Sequence, residues 1–398
     1  MDKVKDRTLI TERKKLRKRK FKASNQCVKP LYNGVIMNNL NNMTLEEIFK
    51  WVESFNHNDS QTDKESTEEY IIRLLRTYKE KLQSITESPI SDTNSWNQLL
   101  NDIDKLNNTI ADCFKLYSRA KIADSISKMY EIMKEKDKLL QLLVSKDVEN
   151  DKNWYRMRNQ EEGKRVYPAN EMFHVPFNLR HKVSLARYSV SGYPCLYISR
   201  SIWATWEEMH EPKLSDFTVS RLELQQDFRV LDLRVPIVEE DNDPSSLVRQ
   251  LYTIPLILAC SVKVKYPKDN FKPEYIMPQL VMLAITYPDV EFMGCAYTST
   301  MRNPVFPWAD IRLLDNIALP VFSVNTTGKL CPKLCSLFKV SDSSNYDFEM
   351  LKKPFNTLFW AVIDENAVID EAEQYSSSIF GQIEERLARK NVVQLDPA

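Results

Sequence analysis

From Thr44 to Lys146 the chain contains no glycine and a single proline, Pro89. A run of roughly a hundred residues so poor in turn-formers is the signature of helices joined by short polar turns. Thr44, followed three residues on by Glu47, makes a capping-box start, and Leu45, Ile48, Phe49 and Val52 follow at helical spacing. Ile71, Leu74, Leu75, Tyr78 and Leu82 line one face of a second helix. Leu99, Ile103, Leu106, Ile110, Cys113, Tyr117 and Ala120 step by four and three along a third, and the stripe continues through Ile126, Tyr130 and Met133 toward Leu143. One-sided stripes bury themselves against one another, so residues 43–150 are expected to form an antiparallel helical bundle.

Beyond a polar stretch read as a linker over 151–169, the pattern changes. Pro194–Ile198, Arg229–Leu233 and Leu319–Val324 are short β-favouring runs, whereas Trp203–Met209 and Pro278–Thr286 read as helices. Tyr252–Val264 is an apolar run that periodicity cannot assign, Phe355–Ile363 reads as a further buried element, and Ile369–Lys390 as a closing amphipathic helix. The expected class is α+β, with a helical bundle followed by a mixed domain over 170–398. At 398 residues the chain is long enough for two cores.

Composition narrows the function. Fifty-five basic residues balance fifty-five acidic ones, so no overall field draws the chain to nucleic acid or an anionic membrane. The exception is a basic tail, residues 1–42, whose Arg13–Lys20 run suits phosphate contact but has only Phe21 beside it for stacking. Contact with nucleic acid and plain solvation both stand as readings of that tail. No stretch reaches the ~18 apolar residues of a membrane helix, and the first twenty residues lack a secretory core. Seven scattered cysteines suit a reducing compartment, and the expected location is cytoplasmic. Cys331 and Cys335 are the one close pair, but no histidine lies near them, so no metal site is expected.

Three patches in the second half carry chemistry. Arg187 precedes a turn at Ser191-Gly192-Tyr193-Pro194, which feeds Cys195-Leu196-Tyr197-Ile198. Ala204-Thr205-Trp206-Glu207-Glu208 places tandem carboxylates on a helix. Gly294-Cys295-Ala296-Tyr297-Thr298-Ser299 reads as a strand running into a polar loop. The chain has only six glycines, and Gly192 and Gly294 sit in these patches, where backbone geometry would require them.

Arg187, Tyr197, Glu208, Gly294, Tyr297 and Ser299, in this order and spacing, resemble the RES domain family over roughly residues 170–330. The resemblance implies an ADP-ribosyltransferase-like fold and an NAD-consuming toxin that cleaves the nicotinamide–ribose bond. NAD is then substrate, no cofactor is needed, and a protein antitoxin or regulator is an expected partner. It implies Glu208 as the carboxylate that steadies the ribosyl cation, with Glu207 the competing candidate. Arg187 would grip the pyrophosphate, Tyr197 would stack on nicotinamide, and Ser299 would bond its carboxamide or the ribose. Tyr188 joins these as a substrate-binding candidate. Family members carry an arginine where this chain has His174; the histidine would bond the ribose, or Arg180 or Arg187 would take the anion-binding load. The acceptor of ADP-ribose (water, phosphate or protein) stays open. So does the alternative of a catalytically inactive RES-like binding or regulatory module.

The helical half resembles HEPN domains, whose RNase members use an arginine four to six residues before a histidine. His57 is the only histidine before residue 170 and has no such arginine, so RNase chemistry is not expected. The expected role of the bundle is to sense, restrain or dimerise the catalytic half as a homo-oligomer, against the plainer reading of its stripe as core.

Overall fold

A computed structural model of the chain describes residues 43–58, 61–85, 89, 93–134, 145–148, 153–161, 166–236, 244–300, 311–322, 329–345, 375–376 and 378–397. The basic tail, Leu143 and Phe355–Ile363 lie outside the described residues, as does much of Ile369–Lys390.

Among the described residues, four helices come first: α1 (Leu45–Asn58), α2 (Thr67–Gln83), α3 (Thr93–Ser118) and α4 (Ile122–Lys134). The capping box is present at α1, where Thr44 N–H donates to Glu47 Oε2 at 2.8 Å and Glu47 N–H to Thr44 Oγ1 at 3.3 Å. Ser66 and Glu69 repeat the device at α2. The apolar stripes are buried, from Ile48 and Val52 through Leu74 and Tyr78 to Ile103, Ile110 and Met133. Ala120 leaves the seam: it is exposed, with φ 59°, in the turn between α3 and α4.

The remaining elements build one sheet. Its strands are β1 (Ser145–Val148), β2 (Asn153–Asn159), β3 (Cys195–Ser199), β4 (Phe217–Leu224), β5 (Phe228–Leu233), β6 (Cys295–Thr298), β7 (Asp315–Pro320), β8 (Phe338–Ser341), β9 (Ser344–Asn345) and β10 (Val392–Gln394). Their order is β1-β5-β6-β7-β3-β2-β4-β8-β10, with β9 also on β4. Among the described strands, β5 and β6 alone pair in parallel. A parallel pair needs a long crossover. Here it carries α6 (Pro244–Cys260) and α7 (Ile276–Ile285), while α5 (Ile202–Glu208), α8 (Pro332–Leu337) and α9 (Ile379–Ala388) cover other parts of the sheet. The observed class is thus α+β, as the pattern implied.

The supposed linker over 151–169 is the main correction. It contains β2, which lies between β3 and β4 inside the sheet. Trp154 joins the core on one face, Tyr155 and Met157 that on the other. The strand reads as polar because Arg156 and Arg158 share it; both spend guanidinium hydrogens on backbone carbonyls, of Tyr197 and Glu171.

The crossover also joins the two halves of the chain. Helices α1–α4, α6 and α7 share a single core with Leu231, Cys295, Tyr297 and Ala318 of the sheet. Helix α6 has Pro255 in its interior, and a proline cannot serve the carbonyl four residues back. That carbonyl, Leu251 O, accepts instead from the fully buried Tyr78 hydroxyl of α2 at 2.7 Å. Tyr78→Phe is expected to cost about 1–3 kcal/mol, the penalty of an unserved buried acceptor. Urea unfolding checks this, and an unchanged midpoint would mean the carbonyl finds another donor.

Candidate active site

The site grows from a row of side chains on one sheet face. Register places Tyr155 opposite Ser199, Ser199 opposite Asn316, and Asn316 opposite Tyr297, so all four project to the same side. Helix α5 crosses this row. Ser201 caps it, accepting from Ala204 N–H at 3.0 Å and donating to Leu313 O at 2.6 Å. Glu384 of α9 receives the Ile202 N–H at 2.7 Å, tying down the same end.

At its other end α5 delivers Glu208. Asn316 Nδ2 donates to Glu208 Oε1 at 3.3 Å. The Ser299 hydroxyl also bonds this carboxyl, and the Arg187 guanidinium acts on it as a nearby positive charge. Burial pushes the Glu208 carboxyl above its ordinary value, with Ser299, then Arg187 and His210, pulling against that rise. Glu207 is buried within the α5 packing, so the carboxylate that reaches Asn316 is Glu208. Just beyond, His210 and Glu211 have φ of 62° and 55°, a left-handed conformation costly for side-chain-bearing residues. Helix α5 therefore ends in a strained turn two residues past the carboxylate.

Arg187 lies in this pocket but is largely committed. Its Nη1 donates to Cys260 O at 3.1 Å and Val262 O at 2.9 Å, and its Nη2 to Thr300 Oγ1 at 2.9 Å. Its Cζ sits 5.1 Å from the Tyr275 ring centre. Arg187 thus clamps the end of α6 to the segment after β6, with few donors left for the pyrophosphate grip expected of it.

Tyr197 and Tyr188 support the pocket from below. The Tyr197 hydroxyl donates to Ser189 Oγ at 3.1 Å and accepts from Tyr188 N–H at 3.2 Å, pinning the turn. Part of the Tyr197 ring stays exposed. Tyr188 is wholly buried, its ring 4.6 Å from that of Tyr297. It packs beneath the site and offers a ligand no surface, contrary to its expected substrate-binding role. Arg180 braces the same turn, its Nε donating to Gly192 O at 2.6 Å. Both flagged glycines have reasons: Gly192 has φ 79°, and a Cβ on Gly294 would lie 2.2 Å from Ala318 O.

His174 does not join the pocket. It is buried in the core on the opposite sheet face, flanked by Phe173 and Phe177. Nδ1 bonds Val175 O at 2.8 Å, and Nε2 accepts from Cys331 N–H at 2.8 Å, so no nitrogen is left for a ribose. Burial holds its pKa down to about 4, and the ring is neutral at pH 7. Cys331 and Cys335 are buried there too, and no group of metal-ligating side chains occurs among the described residues. No described helix is long and apolar enough to cross a membrane.

Sequence reading missed Asn316, Thr300 and Tyr275. Asn316 was findable as an amide inside an apolar run, Leu313-Leu314-Asp315-Asn316-Ile317-Ala318. The other two carry no such signal.

Comparison with known proteins adds one relative. The chain is 32% identical over 203 residues to a Bacillus subtilis (strain 168) protein named "Putative toxin YopC", covering 48% of this chain. The match spans 45% of that protein, under half its length. No known family profile matches the chain, and no solved structure does.

Proposed function

We propose that the chain is a toxin that consumes NAD by cleaving its nicotinamide–ribose bond, in the manner of the RES family. The observation that carries this reading is the half-buried Glu208 carboxyl, held between Asn316 and Ser299 beside Arg187. The similarity to a protein named as a toxin supports the physiological half of it.

In this reading the carbon–nitrogen bond breaks with its electron pair leaving on neutral nicotinamide, so no general acid is required. The ribose is left cationic, and an ionised Glu208 beneath it stabilises that charge or accepts from a ribose hydroxyl, contacts that strengthen as the bond opens. Asn316 and Ser299 fix the carboxylate so that little reorganisation is needed. Arg187 favours its ionised form and holds the pocket wall. Because burial raises the Glu208 pKa, the rate rises with pH as the group ionises. Water, phosphate or a protein side chain then takes the ADP-ribosyl group.

Expression of the full chain in a bacterial host is expected to collapse the cellular NAD pool and stop growth, and Ser299→Ala is expected to blunt both. Growth arrest with an intact NAD pool would contradict the reading, as would NAD loss indifferent to Ser299→Ala.

A further inference from the structure

The crossover between α6 and α7 contains a loop, residues 262–275, both ends of which meet Arg187. At its start the guanidinium holds Cys260 O and Val262 O; at its end the Tyr275 ring lies beside the same guanidinium. The loop therefore borders the Glu208 pocket. Its base is rigid. Asn56 of α1 takes Ser261 O at 2.7 Å and receives Lys263 N–H at 3.1 Å, and the buried Glu274 accepts from Lys265 N–H at 3.2 Å.

The outer part of the loop is unlike the rest of the surface. Tyr266 and Phe271 are 57% and 58% exposed, two of the five large apolar side chains exposed among the described residues. Lysines stand at 263, 265, 268 and 272, against Asp269 and the buried Glu274. Lys265 is committed, its Nζ donating to Thr62 O at 2.7 Å. Lys272 Nζ donates to Asp269 O at 2.8 Å and lies 5.9 Å from the Tyr275 ring centre. Glu208, Arg187, Tyr275, Lys272 and Phe271 so form a series leading from the carboxylate to an exposed aromatic ring.

We infer that this loop is the subsite for the nucleoside-diphosphate half of the substrate, with Lys268 and Lys272 meeting its phosphates and Phe271 lying against its base. The inference deepens the proposed NAD cleavage and rests on it for the identity of the ligand. Two phosphates need cations, and Arg187 has given most of its hydrogens to protein carbonyls and Thr300. Lys272 of this loop shares the Tyr275 ring with Arg187, its Nζ 5.9 Å and the guanidinium carbon 5.1 Å from the ring centre. A purine offers a flat π-face to an exposed phenyl ring, and such stacking is sequence-tolerant and strong enough to matter. Ring and cations on one short loop suit a nucleotide better than either alone.

The test compares full-length protein with Lys268→Ala/Lys272→Ala and with Phe271→Ala, on NAD and on nicotinamide riboside, which lacks both phosphates and the adenosine. KM for NAD is expected to rise about tenfold or more in each variant, a loss of about one charge-assisted or stacking contact, with kcat unchanged. Turnover of nicotinamide riboside is expected to be the same in all three proteins. An unchanged KM for NAD overturns the subsite while leaving cleavage intact, and so does an equal loss on both substrates, which marks a general structural defect. If no nicotinamide is released from NAD at all, calorimetric titration with ADP decides separately: weaker binding by the variants supports the subsite, and binding that is absent or equal in all overturns it.

Discussion

Glu208→Gln is expected to lower kcat for nicotinamide release from NAD by about 10²–10³ while leaving the fold at least as stable. The amide keeps the shape of the side chain and its oxygen can still accept from Asn316 Nδ2. What is lost is the negative charge that the ribosyl cation would face. The same charge is a burden to the resting fold, since burial raises the Glu208 pKa. A carboxyl raised on folding contributes stability that is full below its unfolded value near 4.5 and is lost as pH rises through the folded one. The glutamine variant should therefore show a flatter dependence of melting temperature on pH above about 4.5. Lost turnover with retained or improved stability is the mark of a group kept for chemistry. Parallel loss of both would mark a structural residue instead.

Removing residues 1–134 is expected to abolish folding of the rest. Without α1–α4, buried side chains of the crossover helices such as Leu251, Ile254, Leu258, Met277 and Leu280 lose their cover. Each contributes about 1.5–3 kcal/mol of burial, so several together exceed the roughly 5–15 kcal/mol that holds a domain folded. The truncated chain should be found in the insoluble fraction, and the full chain should unfold in a single calorimetric transition. A soluble, cooperatively folding truncation would refute the shared core. Asn56 extends this dependence to the pocket itself. It grips the turn after α6 from the α1 side while Arg187 grips the same turn from the site. The helical segment thus acts as foundation for the pocket wall.

The helices of the first half were legible because amphipathic helices advertise themselves through period and caps. Ile71 to Leu82 and the boxes at Thr44 and Ser66 are local facts about local structure. Elements buried on every side are harder. Tyr252–Val264 could not be assigned from its apolar run, and it contains the end of α6, whose interior proline argues against a helix until Tyr78 is known to serve Leu251 O. Strand β2 was hidden by its arginines, whose backbone partners lie at Tyr197 and Glu171. Of the run expected at Leu319–Val324, Leu319 and Pro320 are the end of β7, which starts at Asp315. There, Asp315 and Asn316 open the strand; Asn316 faces the site and Asp315 pairs with Arg234.

The pocket shows the same divide. The structure brings Glu208, Ser299 and Arg187 together, and spacing alone cannot choose Glu208 over Glu207. His174 was misread because a sequence cannot show that both ring nitrogens are already taken, one of them by Cys331 N–H from far along the chain. Arg187 donates to Cys260 O and Val262 O at the end of an apolar run that periodicity cannot assign, so this clamp is invisible in the sequence.

The most direct measurement is mass spectrometry of the products after purified full-length protein is incubated with NAD, with Glu208→Gln as the parallel reaction. The account predicts free nicotinamide and a stoichiometric ADP-ribosyl product from the parent protein, both nearly absent with the variant. NAD recovered intact from the parent, or equal nicotinamide from both proteins, would contradict it.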